Sequence, residues 1–203
     1  MKLEKKQAKL DAISKRIINR EIDIDLAKDC LNPVPGEGSA NAELMFIGEA
    51  PGAQEDKQGR PFVGASGKFL AEMLDSIGMK REDVFITNIV KFRPPENRDP
   101  KPDEIKACMP ILLEQIEVIR PKLLIFLGRH SMNVFFPKLK ISEAHGDLVK
   151  TDIQTEAGKS FEQDCLPLYH PAAALYNGSM RKVLLEDFAK IPKLLEIIKN
   201  KNI

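Results

Sequence analysis

The chain opens with Leu3, Leu10, Ile13 and Ile17 at near-helical intervals among Lys and Glu residues, which predicts an amphipathic helix within residues 1–28. The segment from Asn32 to Ala42 holds two Pro and two Gly and reads as a connecting loop. Four short apolar runs follow: Leu44 to Ile47, Val84 to Val90, Leu123 to Leu127 and Cys165 to Tyr169. Each is bounded by Gly, Pro or charged residues, so each predicts a buried strand. Helical patterns at Gly67 to Ile77, Asp103 to Ile119 and Arg129 to Phe136 lie between them, and a last helix is expected from Ser179 to Asn200. Strands alternating with helices predict an α/β fold with a parallel sheet. The polar, Gly-containing interval from Ile141 to Phe161 predicts a β-hairpin inserted before the fourth strand.

Open α/β sheets gather ligands at the carboxyl ends of their strands, so the residues just after each strand are the first candidates for chemistry. The first strand runs into Gly48-Glu49-Ala50-Pro51-Gly52, and the second carries Asn88 near its end. The third ends at Gly128-Arg129 and the fourth delivers His170-Pro171. The Gly48 to Gly52 stretch has neither the dinucleotide-binding nor the Walker spacing, which argues against NAD and nucleoside triphosphates. A long loop from Gly59 to Gly67 then opens a helix, with Ser66 as a candidate cap and free backbone N–H groups able to receive a phosphate. Taken singly, Ser66 and His170 fit purely structural roles as well. Together, an amide at Asn88 and an imidazole at His170 have the donors and acceptors to surround a pyrimidine ring.

Composition narrows the classes further. With 203 residues, 43% hydrophobic and 30% charged, the chain fits one globular domain, with residues 1–30 as a helical extension packed on it. A net charge of +1 carries no global sign of a nucleic-acid partner, so any DNA contact has to be local. Three cysteines without close spacing make no disulfide framework and agree with a reducing compartment. No apolar run approaches a bilayer span and no signal-peptide pattern opens the chain, so a cytoplasmic protein without membrane contact is expected.

The strings GEAPG, ED, GRPFVGASG, TNIVKFRPPENRDP, EIKAC, IRPKLLIFLGR and YHPAAAL occur in that order between Val34 and Asp187. In sequence and spacing they resemble the uracil-DNA glycosylases, most closely the family 4 type. The resemblance implies a three-layer αβα fold around a central four-stranded, mainly parallel sheet. It also implies a monomeric enzyme that flips uracil out of single- or double-stranded DNA and hydrolyses its N-glycosidic bond. Phe62 is then the platform for the flipped base, Asn88 the reader of its Watson–Crick edge, and His170 the group facing O2. A fixed amide separates uracil, with its N3–H donor and O4 acceptor, from cytosine, whose pattern is reversed. His170 and the backbone of Gly48 to Gly52 are expected to stabilise charge on the departing base. Ala50 occupies the place where the best-known uracil glycosylases carry a water-positioning aspartate. Glu55 is therefore the first candidate for that role and Glu49 the second. Ser66, Lys68, Arg93, Arg98 and Arg181 are candidate phosphate contacts, and Leu175 is the candidate wedge.

Two departures from the family pattern stand out: the cluster cysteines, and the wedge, where Ala174 precedes Leu175 and Tyr176 although the family usually offers Leu at the fifth position of the motif. Family 4 enzymes commonly hold a four-iron cluster on four cysteines, but here only Cys108 matches and Phe92 stands at the third position. Cys30 falls out of register, so no iron–sulfur cluster, metal or other cofactor is expected. Lys91 to Asp99 also lacks the histidine of the crosslinking relatives. A non-catalytic DNA-binding member remains an alternative, as does an enzyme for hypoxanthine, xanthine or a thymine mispair. A Rossmann-like small-molecule binder is disfavoured because no phosphate fingerprint accompanies the loop.

Overall fold

The computed structural model describes residues 2–155, 158 and 160–201. Six strands form one sheet: β1 (Glu37–Gly38), β2 (Leu44–Gly48), β3 (Phe85–Asn88), β4 (Leu123–Leu127), β5 (Val149–Gln154) and β6 (Ser160–Leu168), in the order β1-β3-β2-β4-β6-β5. The four inner strands are parallel to one another, as expected. The two edge strands are antiparallel additions that bring the sheet from four strands to six.

The helices are α1 (Leu3–Ile18), α2 (Leu26–Asp29), α3 (Ala53–Gln58), α4 (Ala65–Ser76), α5 (Pro102–Ile119), α6 (Arg129–Phe135), α7 (Ile141–Ala144), α8 (Ala173–Tyr176), α9 (Gly178–Phe188) and α10 (Ile191–Lys201). Successive strand residues point to opposite faces. Met45, Ile47, Leu124 and Phe126 therefore pack in one core with α1 and α5, while Leu44, Phe46, Ile125 and Leu127 pack in a second with α4, α9 and α10. Two cores on one sheet make the three-layer αβα sandwich, and burial on both faces explains why the inner strands read as unbroken apolar runs.

Local departures have local causes. The first helix stops at Ile18 instead of running towards residue 28, because Arg20 turns into the left-handed region at φ 60°. From there the Arg20 guanidinium donates to Cys30 Sγ at 3.0 Å and to Cys30 O at 3.1 Å, which folds the chain back onto α2. The last helix is broken into α9 and α10, and Pro192, lacking an N–H, sits in the first turn of α10 where none is needed. The hairpin near residue 150 is not a separate insertion: β5 pairs directly with a lengthened β6, so the fourth central strand is one of its arms. Residues 156, 157 and 159 of that hairpin lie outside the described residues. No helix among the described residues is long and apolar enough to cross a membrane.

Helix α1 lies along α5. Leu10, Ile13 and Ile17 are buried between them, Lys6 Nζ donates to Ile119 O at 2.8 Å, and Arg16 pairs with Glu114 at 2.6 Å. Ile17→Ala should therefore cost about 2–5 kcal/mol in denaturant unfolding as one cooperative transition, and an unchanged midpoint would show that α1 is not part of that unit.

Candidate active site

Parallel pairing sets Gly48 at the end of β2 directly beside Asn88 at the end of β3. A Cβ at Gly48 would lie 2.3 Å from Asn88 Oδ1 and 2.7 Å from Phe62 Cζ, so only glycine lets the amide and the ring converge. Asn88 is 2% exposed, and among the described residues its side-chain amide has no hydrogen-bond partner. The amide opens into a cavity, where a ligand or water can complete its hydrogen bonds.

Phe62 reaches the site in a left-handed conformation, φ 50°, that a bulky residue adopts only when held. Arg81 holds it by donating to Phe62 O at 3.0 Å and to Pro61 O at 2.8 Å, while Glu37 pairs with Arg81 at 2.6 Å. From the other side Glu55 Oε1 accepts the backbone N–H groups of Val63 and Gly64, both at 2.9 Å. Gly67 removes the last obstacle, since a Cβ there would stand 1.8 Å from Phe62 O.

His170 follows β6, and its ring lies 5.7 Å from that of Phe62, tilted by 31°. Its Nδ1 accepts the Ala172 N–H at 3.1 Å, which assigns the proton of the neutral ring to Nε2. Burial lowers the imidazole pKa to about 4, so the ring is neutral at physiological pH and Nε2–H is a donor.

Asn88, Phe62 and His170 line a cavity of about 370 Å³ together with Glu49, Ala50 and Glu55. The two carboxylates differ. Glu55 spends one oxygen on the Phe62 loop, whereas Glu49 Oε1 is buried without a hydrogen bond and burial raises the Glu49 pKa. His130 stands between two carboxylates, with Nδ1 3.6 Å from Glu49 Oε1 and Nε2 3.6 Å from Asp99 Oδ2. Asn97 and Pro94 also line the cavity. Neither is singled out by the sequence reading; the Pro-Pro-Glu-Asn-Arg-Asp run after β3 was the available signal, because it predicts an irregular loop at a strand end.

Residues 35–193 match the profile of the uracil DNA glycosylase superfamily. The type-4 uracil-DNA glycosylase of Sulfurisphaera tokodaii is 53% identical over 166 residues, which cover 80% of this chain and 74% of that protein. That of Archaeoglobus fulgidus is 46% identical over 177 residues, 84% of this chain and 85% of its own, and that of Thermotoga maritima 41% identical over 169 residues, 81% and 84%. The chain belongs to the uracil DNA glycosylase superfamily.

Around this superfamily pocket the predicted DNA contacts are unevenly available. Lys68 is exposed on the first turns of α4. Arg98 is bound to Glu104 at 2.9 and 2.6 Å, Arg93 donates to Asn97 Oδ1 at 2.8 Å, and Arg181 pairs with Glu72 while lying 4.4 Å from the Phe69 ring centre. Ser66 lines the cavity but does not cap α4. The helix begins two residues earlier than expected, at Ala65, and its cap is Gly64, which has no side chain to contribute. Leu175 is 48% exposed in α8, and its neighbour Tyr176 is 90% exposed. Cys30, Cys108 and Cys165 are all buried free thiols, and Phe92 is wholly buried.

A histidine with pKa 6.5 unfolded and about 4 folded binds protons preferentially in the unfolded state between those values. Its contribution to stability is thus present above pH 6.5 and is lost as pH falls towards 4. The melting temperature should drop less steeply over this window in His170→Asn than in the parent, and parallel pH curves would contradict a buried neutral His170.

Proposed function

We propose that this chain is a uracil-DNA glycosylase of the type-4 kind that works as a monomer without the iron–sulfur cluster. The observation that carries the reading is the unpartnered, buried Asn88 amide in a cavity shared with Phe62 and His170. A flipped pyrimidine stacks on Phe62, and the amide accepts N3–H and donates to O4, a pairing that cytosine reverses. The His170 Nε2–H meets O2 as the glycosidic bond breaks and the base leaves as an anion. One donor of this kind typically contributes on the order of 10² to 10³ in rate. Water then adds to the oxocarbenium-like sugar and gives up its proton. Glu49 is the better acceptor for that water, because it lines the cavity without accepting a hydrogen bond among the described residues and burial raises its basicity, while Glu55 is occupied in bracing the Phe62 loop.

Four thiolates are needed to hold a four-iron cluster, and this chain has three cysteines. Among the described residues the one His, Cys, Asp and Glu grouping close enough to share a metal ion is Glu49, Asp99 and His130, which contains no cysteine. No step of the chemistry is routed through either.

Purified protein incubated with uracil-containing DNA in EDTA should release free uracil and leave an intact strand bearing an abasic site, from a colourless preparation. Loss of release in EDTA, or strand nicking without abasic-site treatment, would contradict the mechanism. Visible absorption with stoichiometric iron and sulfide would contradict the absent cluster alone.

A further inference from the structure

Lys91 is wholly buried in the turn after β3, next to the apolar Val90, Phe92 and Cys108. An ammonium in such surroundings is expensive to keep, and burial lowers its pKa to about 7. Among the described residues no carboxylate pairs with it. Its Nζ instead donates to Thr87 Oγ1 at 2.7 Å, Asn88 O at 2.6 Å and Gln115 Oε1 at 2.8 Å, one acceptor for each N–H of an ammonium. Gln115 is anchored in turn, its Nε2 donating to Pro35 O at 2.7 Å.

Asn88 is the last residue of β3, and past its pairing with Gly48 the contact with β2 continues through the Ile89 N–H to Gly48 O and the Val90 N–H to Glu49 O, both at 3.0 Å. Those bonds hold the N–H side of the peptide that follows Asn88, and the Lys91 ammonium holds its carbonyl. The chain of contacts from Pro35 through Gln115 and Lys91 ends on the peptide unit from which the Asn88 side chain projects. We propose that Lys91 is a positioning residue that holds this peptide so that the Asn88 amide faces the base; it touches neither base nor sugar. The inference rests on Asn88 being the base reader.

Free uracil and a duplex carrying an abasic site are the probes. Lys91→Met, similar in length and without donors, should raise the inhibition constant of free uracil about tenfold or more while leaving affinity for the abasic duplex within about twofold. Thr87→Val, which removes one of the three acceptors, should shift uracil inhibition in the same direction by less. A folded Lys91→Met with the parent's inhibition constant overturns the proposal. If Lys91→Met does not fold, Thr87→Val decides, and an unchanged constant there overturns it equally. Asn88→Ala separates the two levels of the argument. A raised constant in Asn88→Ala with none in Lys91→Met removes the positioning role only, and an unchanged constant in Asn88→Ala removes the base-reading assignment and the proposal with it.

Discussion

Everything in this site depends on the absence of one side chain. Gly48 and Asn88 lie side by side at the carboxyl ends of two paired strands, and the volume a Cβ would fill at Gly48 is taken by Asn88 Oδ1 and the edge of the Phe62 ring. Strand register fixes the amide, and the missing Cβ admits the Phe62 ring beside it. The two cores clamped on either face of the sheet keep that register from slipping, since a shift of one residue would exchange Phe46 and Ile47 between opposite layers.

The rest of the pocket is assembled by loops, which need bracing that strands do not. Phe62 sits in a strained backbone conformation and is held from one side by Arg81, itself paired with Glu37, and from the other by Glu55. Burial of Glu37 pushes its pKa up, yet Arg60 and Arg81 bring it below the ordinary carboxylate value, so it stays charged and the brace persists near neutral pH. His170 is handled in the opposite manner. With no stabilising partner strong enough to offset burial it stays neutral, and its one acceptor nitrogen is spent on the Ala172 N–H. The remaining N–H is thereby left without a partner among the described residues at the cavity, as the proposed stabilisation of a leaving base requires.

The inner strands were legible in the sequence because burial on both faces leaves runs such as Leu123 to Leu127 wholly apolar. The edge strands were legible only in part. Glu37–Gly38 is two residues within a Pro and Gly-rich segment and carries no apolar run to read, whereas Val149–Gln154, half exposed and largely polar, was foreseen only as part of a hairpin between Ile141 and Phe161. Among the candidate site residues, Phe62, Asn88 and His170 emerged from ordered motifs and strand ends, and the fold brings all three to one cavity. Arg81, Lys91 and Asn97 did not emerge, because their importance lies in contacts made across the tertiary structure. Likewise, the loop-bracing bonds of Glu55 and the pairing of Arg98 with Glu104 have no signature in composition or spacing.

The central claim is that the crowded junction of Gly48, Asn88 and Phe62 forms the base pocket of a uracil-DNA glycosylase. Its most direct test is the single-turnover rate of uracil release by Gly48→Ala. One methyl group there has to displace the amide or the ring by about an ångström, so release should fall by on the order of 10² or more in a protein that still folds. A folded Gly48→Ala that releases uracil at the parent rate would contradict the account.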